Sequence, residues 1–285
     1  MGEQGQLVHL LRLLGDDSPV VQEALAREFY AYGPALMSDL TSLDAPPDSD
    51  ALATIRALLV EEGRRQLREG WEAWLQAEKP ERSLARLESA LALLSDFQNG
   101  PGHPTSLGDV LDELAESFRL RGGTVDEETL SRFLFKEKGL EGDRSNYYHP
   151  LNSNLVNVVE TRRGLPISLA CVYMLVGERL GFTIGGCNWP NHFYARVRLK
   201  HQLMLVDCFN GGRMVDRESF LKLQGPSKEA AEAIVDKAAS VDTIVARVLG
   251  NLVRAYQHES QDEESRLMLD LLHGLEGRSG ARNQA

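Results

Sequence analysis

A helix-length segment without a polar face constrains the fold of this chain more than any other feature. The segment begins at Pro166, and nearly every side chain in residues 167–176 is apolar. A helix that is apolar on all sides has to be buried, and proline suits the first helical position. Gly181 is well placed to end the helix, because glycine readily adopts the left-handed conformation found after many helix C-termini. The sequence therefore predicts a central helix enclosed by other elements.

Short strands are predicted after this helix. Residues 192–199 alternate between apolar and polar side chains, which is typical of a half-buried strand. Residues 203–208 can pair with them as a hairpin, and residues 182–187 and 214–215 predict two further short strands. We therefore expect a small antiparallel sheet beside the buried helix.

Two polar residues of this predicted hairpin are candidates for a functional site. If the hairpin turns at Leu199 and Lys200, His192 and Asp207 lie directly opposite each other on one face. An aspartate that orients a histidine is the arrangement by which many enzymes hold a general base. The other interpretation is a hydrogen-bonded pair with a structural or binding role.

Helical patterns surround this region. Residues 1–43 predict a helix pair that is similar to a single HEAT-type repeat, and residues 44–50, rich in Pro and Asp, predict a linker. Residues 51–144 predict a helical segment that packs on the α/β core, which covers residues 145–223. Residues 227–275 predict a helix pair that is similar to a tetratricopeptide-type hairpin.

Composition narrows the classes of partner. The net charge of -11 makes a nucleic-acid partner unexpected, since phosphate backbones are bound by concentrated Lys and Arg. No apolar run approaches the ~20 residues of a membrane span, and no signal peptide is apparent, so we expect a cytoplasmic protein without a membrane partner. Three cysteines without a CxxC pattern and scattered histidines predict no disulfide, no metal site and no cofactor.

Several short motifs occur in an order that resembles a known family. The motifs are Asn152-Ser153, RRGLPISLA at 162–170, Gly181, NWPNHF at 188–193, DCFNGG at 207–212 and ARVLGNL at 246–252. Together they resemble the SirB-type branch of the transglutaminase-like superfamily, over about residues 85–273. The resemblance implies an α+β fold. Its papain-like, transglutaminase-type core, a buried helix plus a small antiparallel sheet, is embedded in helical segments.

The same resemblance implies where chemistry would occur. Enzymes of this superfamily use Cys, His and Asp to transfer acyl groups or cleave amides, and His192 and Asp207 match the last two by motif position. At the start of the buried helix, where the enzymes have their cysteine, this chain has residues 166–168, Pro-Ile-Ser. We therefore expect a non-catalytic pseudoenzyme module that binds a protein or peptide. The alternative is an unorthodox amidase or acyl-transferase whose nucleophile is Cys187 or Ser168.

The two candidate nucleophiles each have a second interpretation. If a four-residue turn follows Cys187, this cysteine faces His192 across the strands; otherwise it is a small apolar strand residue. Ser168 lies in the first turn of the buried helix, where its hydroxyl can reach His192 or bond to the backbone. Cys171, one turn further into the helix, is expected in the core.

Overall fold

The computed structural model of the chain describes residues 3–77, 84–222 and 228–282. These residues form helices and two small sheets. The helices are α1 (Glu3–Leu13), α2 (Pro19–Tyr32), α3 (Leu36–Thr41), α4 (Ser49–Gln76), α5 (Ala85–Asn99), α6 (Leu107–Leu120), α7 (Glu127–Arg132), α8 (Leu155–Thr161), α9 (Pro166–Arg179), α10 (Arg217–Lys222), α11 (Lys228–Asp236), α12 (Val241–His258) and α13 (Asp262–Arg282). The strands are β1 (Glu141–Gly142), β2 (Arg163–Gly164), β3 (Gly185–Cys187), β4 (Tyr194–Leu199), β5 (Gln202–Asp207) and β6 (Arg213–Asp216). This combination belongs to the predicted α+β class.

The chain divides into two compact units. The first lies within residues 1–76 and 93–106, and the second within residues 77–92 and 107–285. In the first unit α1, α2, α3 and α4 bury a common apolar cluster. Its members are Leu7, Leu10, Leu25, Phe29, Leu36, Leu40, Leu43 and Ile55. Among the described helices, none is both long enough and apolar enough to cross a membrane.

Helix α9 lies at the centre of the second unit. Every residue from Pro166 to Gly177 is buried, as the apolar pattern predicts. Gly181 has a φ of +81° and ends the helix. Its N–H donates to the carbonyl of Glu178 at 3.0 Å, and the N–H of Phe182 donates to the carbonyl of Gly177 at 2.8 Å. These bonds satisfy carbonyls that the end of a helix otherwise leaves unpaired.

The larger sheet is antiparallel, with the strand order β3-β4-β5-β6. Leu199 pairs with Gln202, so the hairpin turns at Lys200 and His201, whose φ values of 47° and 73° are both positive. Positive φ at both central residues is the requirement of a type I′ hairpin turn. The predicted turn at Leu199 and Lys200 is therefore wrong by one residue.

The corrected register changes which residues oppose each other but preserves the faces. The last pair at this end of the hairpin is Ala195 with Val206. The same register continued by one residue places Tyr194 opposite Asp207, so His192 and Asp207 are offset by two residues rather than directly opposite. A displacement of two residues leaves every side chain on its original face, because side chains alternate with a period of two. His192 and Asp207 consequently still project from one side of the sheet.

The two faces of this sheet are covered by different helices. Ala195 and Val197 are buried on the face towards α9. The opposite face packs against α10 and α11. The buried residues on that side are Cys187, Leu203, Leu205, Phe220, Leu221, Ala231 and Val235. The minor sheet pairs β1 with β2 in parallel just before α9, and so connects the segment before α8 to the start of the central helix.

Candidate functional site

His192 and Asp207 form a hydrogen-bonded pair at the edge of the sheet. The Nε2 atom of His192 lies 3.0 Å from Oδ1 of Asp207, and the two side chains are only 21% and 16% exposed. The rings of Tyr194 and Phe209 flank the imidazole, with centroid distances of 4.5 Å and 6.2 Å. A proton on Nε2 leaves Nδ1 of the neutral ring as an acceptor. Among the described residues, none is hydrogen-bonded to Nδ1.

The carboxylate of Asp207 is held from a second side by Asn210. The backbone N–H of Asn210 donates to Oδ1 at 3.2 Å, and its Nδ2 donates to Oδ2 at 2.7 Å. Burial alone raises the pKa of Asp207, but the bonds from His192 and Asn210 outweigh burial and bring this pKa below its ordinary value. Asp207 is therefore ionised at neutral pH, and an ionised carboxylate fixes the orientation of the imidazole.

The loop after Asp207 contains two glycines with positive φ, Gly211 and Gly212. Gly212 donates its N–H to the carbonyl of Asp207 at 2.9 Å and has a φ of +72°. A Cβ at this position would lie 2.6 Å from the ring of Phe135. The second glycine of the DCFNGG motif therefore serves the geometry of the loop that carries Asn210.

The segment between β3 and β4, which carries His192, is anchored by α12. The Nη1 atom of Arg247 donates to Oδ1 of Asn188 at 2.5 Å and to the carbonyl of Trp189 at 2.7 Å. The Trp189 ring meets the edge of the Phe220 ring at 5.0 Å, so this tryptophan covers part of the apolar cluster beneath α10. Arg247 and Trp189 thus restrain the segment on two sides.

Cys187 lies in the apolar interior. Its side chain is fully buried, and its Sγ is 3.9 Å from the carbonyl of Ile234. Its strand partner is Tyr194 rather than His192, because the connection to β4 is longer than the four-residue turn we expected. Burial raises the pKa of the Cys187 thiol to about 11.

The remaining cysteines and Ser168 are also buried. Burial raises the pKa of Cys171 to about 12 and that of Cys208 well above its ordinary value. Ser168 is 1% exposed, and its Oγ has no hydrogen-bond partner among the described residues. Among the described residues, no hydrogen bond joins His192 to Ser168 or to a cysteine. The described residues also contain no group of three or more His, Cys, Asp or Glu side chains that could hold a metal ion.

Asn152, one of the motif residues, organises the segment before α8. This asparagine is buried, and its Nδ2 donates to the carbonyl of Asn146 at 2.7 Å. Its own carbonyl accepts from the N–H of Leu165, the residue that precedes α9, at 3.3 Å. These two bonds place Tyr147 and Tyr148 beside the start of the central helix.

A cavity of about 610 Å³ adjoins the site at this point. Its lining includes Tyr147, Tyr148, Asn191, Arg247, Asn251 and Arg254. Asn191 immediately precedes His192 in the chain, so the cavity and the His–Asp pair share one loop. Our sequence analysis did not identify this cavity. The sequence feature that could have indicated it is the seven-residue spacing of Arg247 and Arg254, which places both arginines on one face of α12.

Comparison with known proteins places the chain in a family. Residues 105–250, half of the chain, match the sequence profile of the transglutaminase-like superfamily. The chain therefore belongs to the transglutaminase-like superfamily. The match includes α9, the sheet and the His192–Asp207 pair.

More specific similarity is to proteins named UPF0162. The UPF0162 protein of Xylella fastidiosa strain Temecula1 is 37% identical over 134 residues, which are 45% of this chain and 47% of that protein. The UPF0162 protein of Pseudomonas aeruginosa is 34% identical over 152 residues, 50% of this chain and 55% of that protein. The chain thus spans about half the length of these curated relatives.

A eukaryotic protein matches a similar portion. F-box only protein 21 of Mus musculus is 26% identical over 153 residues, which are 51% of this chain but 24% of that protein. No solved structure has significant similarity to the chain.

Proposed function

We propose that this protein is a non-catalytic member of the transglutaminase-like superfamily that binds a protein or peptide partner. The observation that carries this proposal is the burial of the three cysteines. All three are buried in surroundings that raise the pKa of the thiol. The thiolate is the nucleophilic form of cysteine, so none of these thiols is suited to attack an amide at neutral pH.

In this proposal the His192–Asp207 pair positions the loops of a binding surface. The pair joins the segment before β4 to the loop after β5, and Asn210 extends the connection by its two bonds to Asp207. The papain-like core, its assignment to the SirB-type branch and a cytoplasmic location are part of the same proposal. The proposal also includes the similarity of α1–α2 to a HEAT repeat and of α12–α13 to a tetratricopeptide hairpin. HEAT and tetratricopeptide repeats both present binding surfaces to partners.

The alkylation rate of each cysteine in the folded protein tests the non-catalytic assignment. Iodoacetamide labelling between pH 6 and pH 9, quantified for each site by mass spectrometry, should give slow reaction at all three cysteines. The urea-unfolded protein is the control for full reactivity, and His192→Ala is the control for activation by histidine. Rapid reaction of Cys187 at pH 6 that disappears in His192→Ala would contradict the proposal.

The second candidate function is an amidase or acyl-transferase that uses Ser168, with Cys187 as the other possible nucleophile. One observation favours Ser168: its buried Oγ has no hydrogen-bond partner among the described residues, which is uncommon for a buried hydroxyl. In this candidate Ser168 Oγ attacks an amide carbonyl, and Nδ1 of His192 takes the hydroxyl proton and returns it to the leaving amine. Asp207 holds the ring throughout.

A serine-directed fluorophosphonate probe separates the two functions. A non-catalytic protein should show equal, background labelling in wild type, Ser168→Ala and His192→Ala. Labelling of Ser168 in the wild type that is lost in His192→Ala would instead establish an activated serine.

A further inference from the structure

The cavity beside the His–Asp pair carries positive charge that the protein does not neutralise. Arg247 and Arg254 both line it. In the described part of the chain neither guanidinium forms an ion pair with a carboxylate, although the chain as a whole has a net charge of -11. Pairing with a carboxylate is the usual way to compensate a partly buried cation. The lining of the cavity is therefore positively charged, although the net charge of the chain is negative.

Arg247 is positioned by bonds that leave much of its hydrogen-bonding capacity unused. Only its Nη1 is engaged, and both acceptors, Asn188 Oδ1 and the Trp189 carbonyl, are uncharged. A guanidinium has five N–H donors in one plane. The donors on Nη2 and Nε of Arg247 make no hydrogen bond to the described residues, so an edge of the guanidinium is available to a ligand.

The charge of Arg254 disfavours the charged form of Arg247. Burial is the main cause that lowers the pKa of Arg247; the interaction with Tyr147 raises this pKa in part, and the charge of Arg254 lowers it further. Arg247 is half-buried and Arg254 is exposed, and both line the cavity. An anion bound there would offset the repulsion that Arg247 experiences and would gain charge-assisted interactions. The positive charge that lines the cavity therefore favours the binding of a negatively charged group.

The other walls suit a ligand with both polar and apolar parts. Tyr147 and Tyr148 present partly exposed rings, and Tyr148 is supported by the stacked ring of His258 at 5.2 Å. Asn191 and Asn251 contribute side-chain amides that can both donate and accept. A volume of about 610 Å³ is typical of sites for small ligands. It can hold the terminal residues or a side chain of a peptide.

We infer that this cavity is a carboxylate-binding site, in which Arg247 and Arg254 receive the C-terminal carboxylate or an acidic side chain of a peptide. Arginine is well suited to this task because its planar fork matches the two oxygens of a carboxylate. The inference rests on the proposed peptide-binding function and specifies its ligand. Since Arg247 also bonds to the segment that carries His192, an occupied cavity would restrain that loop as well.

Binding of defined peptide pools to the full chain tests the inference. Four pools of N-acetylated hexapeptides combine a free or amidated C-terminus with Glu or Gln at the third position, the other positions being randomised among uncharged residues. Retention is measured by affinity selection and mass spectrometry. We expect pools with a carboxylate to be retained about tenfold more than the amidated Gln pool, the effect of about one charge-assisted hydrogen bond. The two mixed pools distinguish a terminal carboxylate from an acidic side chain.

Variants then locate the binding. Arg254→Gln should reduce the retention of carboxylate pools about tenfold. Among the described residues Arg254 has no hydrogen-bond or ion-pair partner, so folding should be unaffected. Arg266→Gln, an exposed arginine on α13 that does not line the cavity, removes the same charge and is the matched control. Gly250→Leu provides a test that leaves charge unchanged, because a Cβ on this cavity-lining glycine meets nothing within 4 Å and a leucine would enter the cavity.

The outcomes separate the inference from the function on which it rests. Equal retention of all four pools, or carboxylate-dependent retention that is insensitive to both Arg254→Gln and Gly250→Leu, would overturn the carboxylate site and leave peptide binding intact. Retention of none of the pools would overturn both.

Discussion

Replacing Gly142 with alanine measures how tightly the aromatic side chains beside His192 are packed. A Cβ at this position would lie 2.3 Å from two ring atoms of Phe209 and 2.5 Å from a third. The ring would have to move by about 0.7 Å to reach a 3.0 Å separation, and overpacking of this kind costs about 1–3 kcal/mol. The backbone of Gly142 is not in the left-handed region, so the cost should arise from this contact rather than from backbone strain.

The position of Phe209 makes this perturbation informative about the site. Phe209 is 9% exposed, and its ring lies 6.2 Å from that of His192 and 6.1 Å from that of Tyr147. The guanidinium of Arg144 lies 5.1 Å from the ring centroid. With neighbours on several sides, the ring cannot move without disturbing the site, and we expect Gly142→Ala to lose about 2 kcal/mol of unfolding free energy.

The buried cysteines supply an assay that is specific for the second unit, since all three lie in it. Pulsed maleimide labelling across a urea series, quantified by mass spectrometry, gives the unfolding free energy of that unit. The matched background is Phe209→Leu, which removes the ring that the new Cβ would contact. In that background Gly142→Ala should cost at least about 1 kcal/mol less than in the wild type, because substitutions at two residues in contact show coupling energies of about 0.5–3 kcal/mol. An equal cost in both backgrounds would refute the steric explanation.

Two further predictions concern the cavity and the carboxylate. Gly250→Ala should stabilise the protein by about 0.5–1 kcal/mol in the same labelling assay, because the glycine lies inside α12 and a Cβ meets nothing within 4 Å. A loss of stability would contradict the space that the structure shows around Gly250. The pKa of Asp207 is lowered in the folded chain, so its ionised form stabilises the fold above the ordinary value of 3.8, and this stabilisation is lost as the pH falls through the lowered pKa. Asp207→Asn should therefore be less stable than wild type at pH 7, with a difference that shrinks below pH 3.8 in urea unfolding followed by circular dichroism; a difference independent of pH would contradict this reasoning.

The elements that the sequence predicted well are those whose signals are local. Helix α9 was predicted from its apolar residues, and its end from Gly181, because burial and a left-handed C-terminal residue each leave a direct mark on composition. The alternation in residues 192–199 likewise predicted which side chains of β4 face the core. Short elements such as α3, with six residues, have too few turns to show a helical period, and we did not predict this helix.

The register of the β4–β5 hairpin illustrates a limit of pattern-based prediction. Alternation has a period of two, so it cannot distinguish registers that differ by two residues. A glycine or asparagine would have marked the turn, but Lys200 and His201 adopt positive φ without either. The pairing of His192 with Asp207 was nevertheless predicted correctly as to face, because both alternative registers place the two side chains on one side of the sheet.

The sequence by itself determined that a buried helix is followed by a hairpin with a histidine and an aspartate on one face, and that no cysteine begins that helix. Only the tertiary structure decided that Cys187 lies in an apolar cluster, opposite Tyr194, since that depends on the length of a loop and on packing by α10 and α11. Only the tertiary structure revealed the cavity with Arg247 and Arg254. Its walls come from segments about a hundred residues apart, whose proximity depends on long-range packing rather than on local propensity.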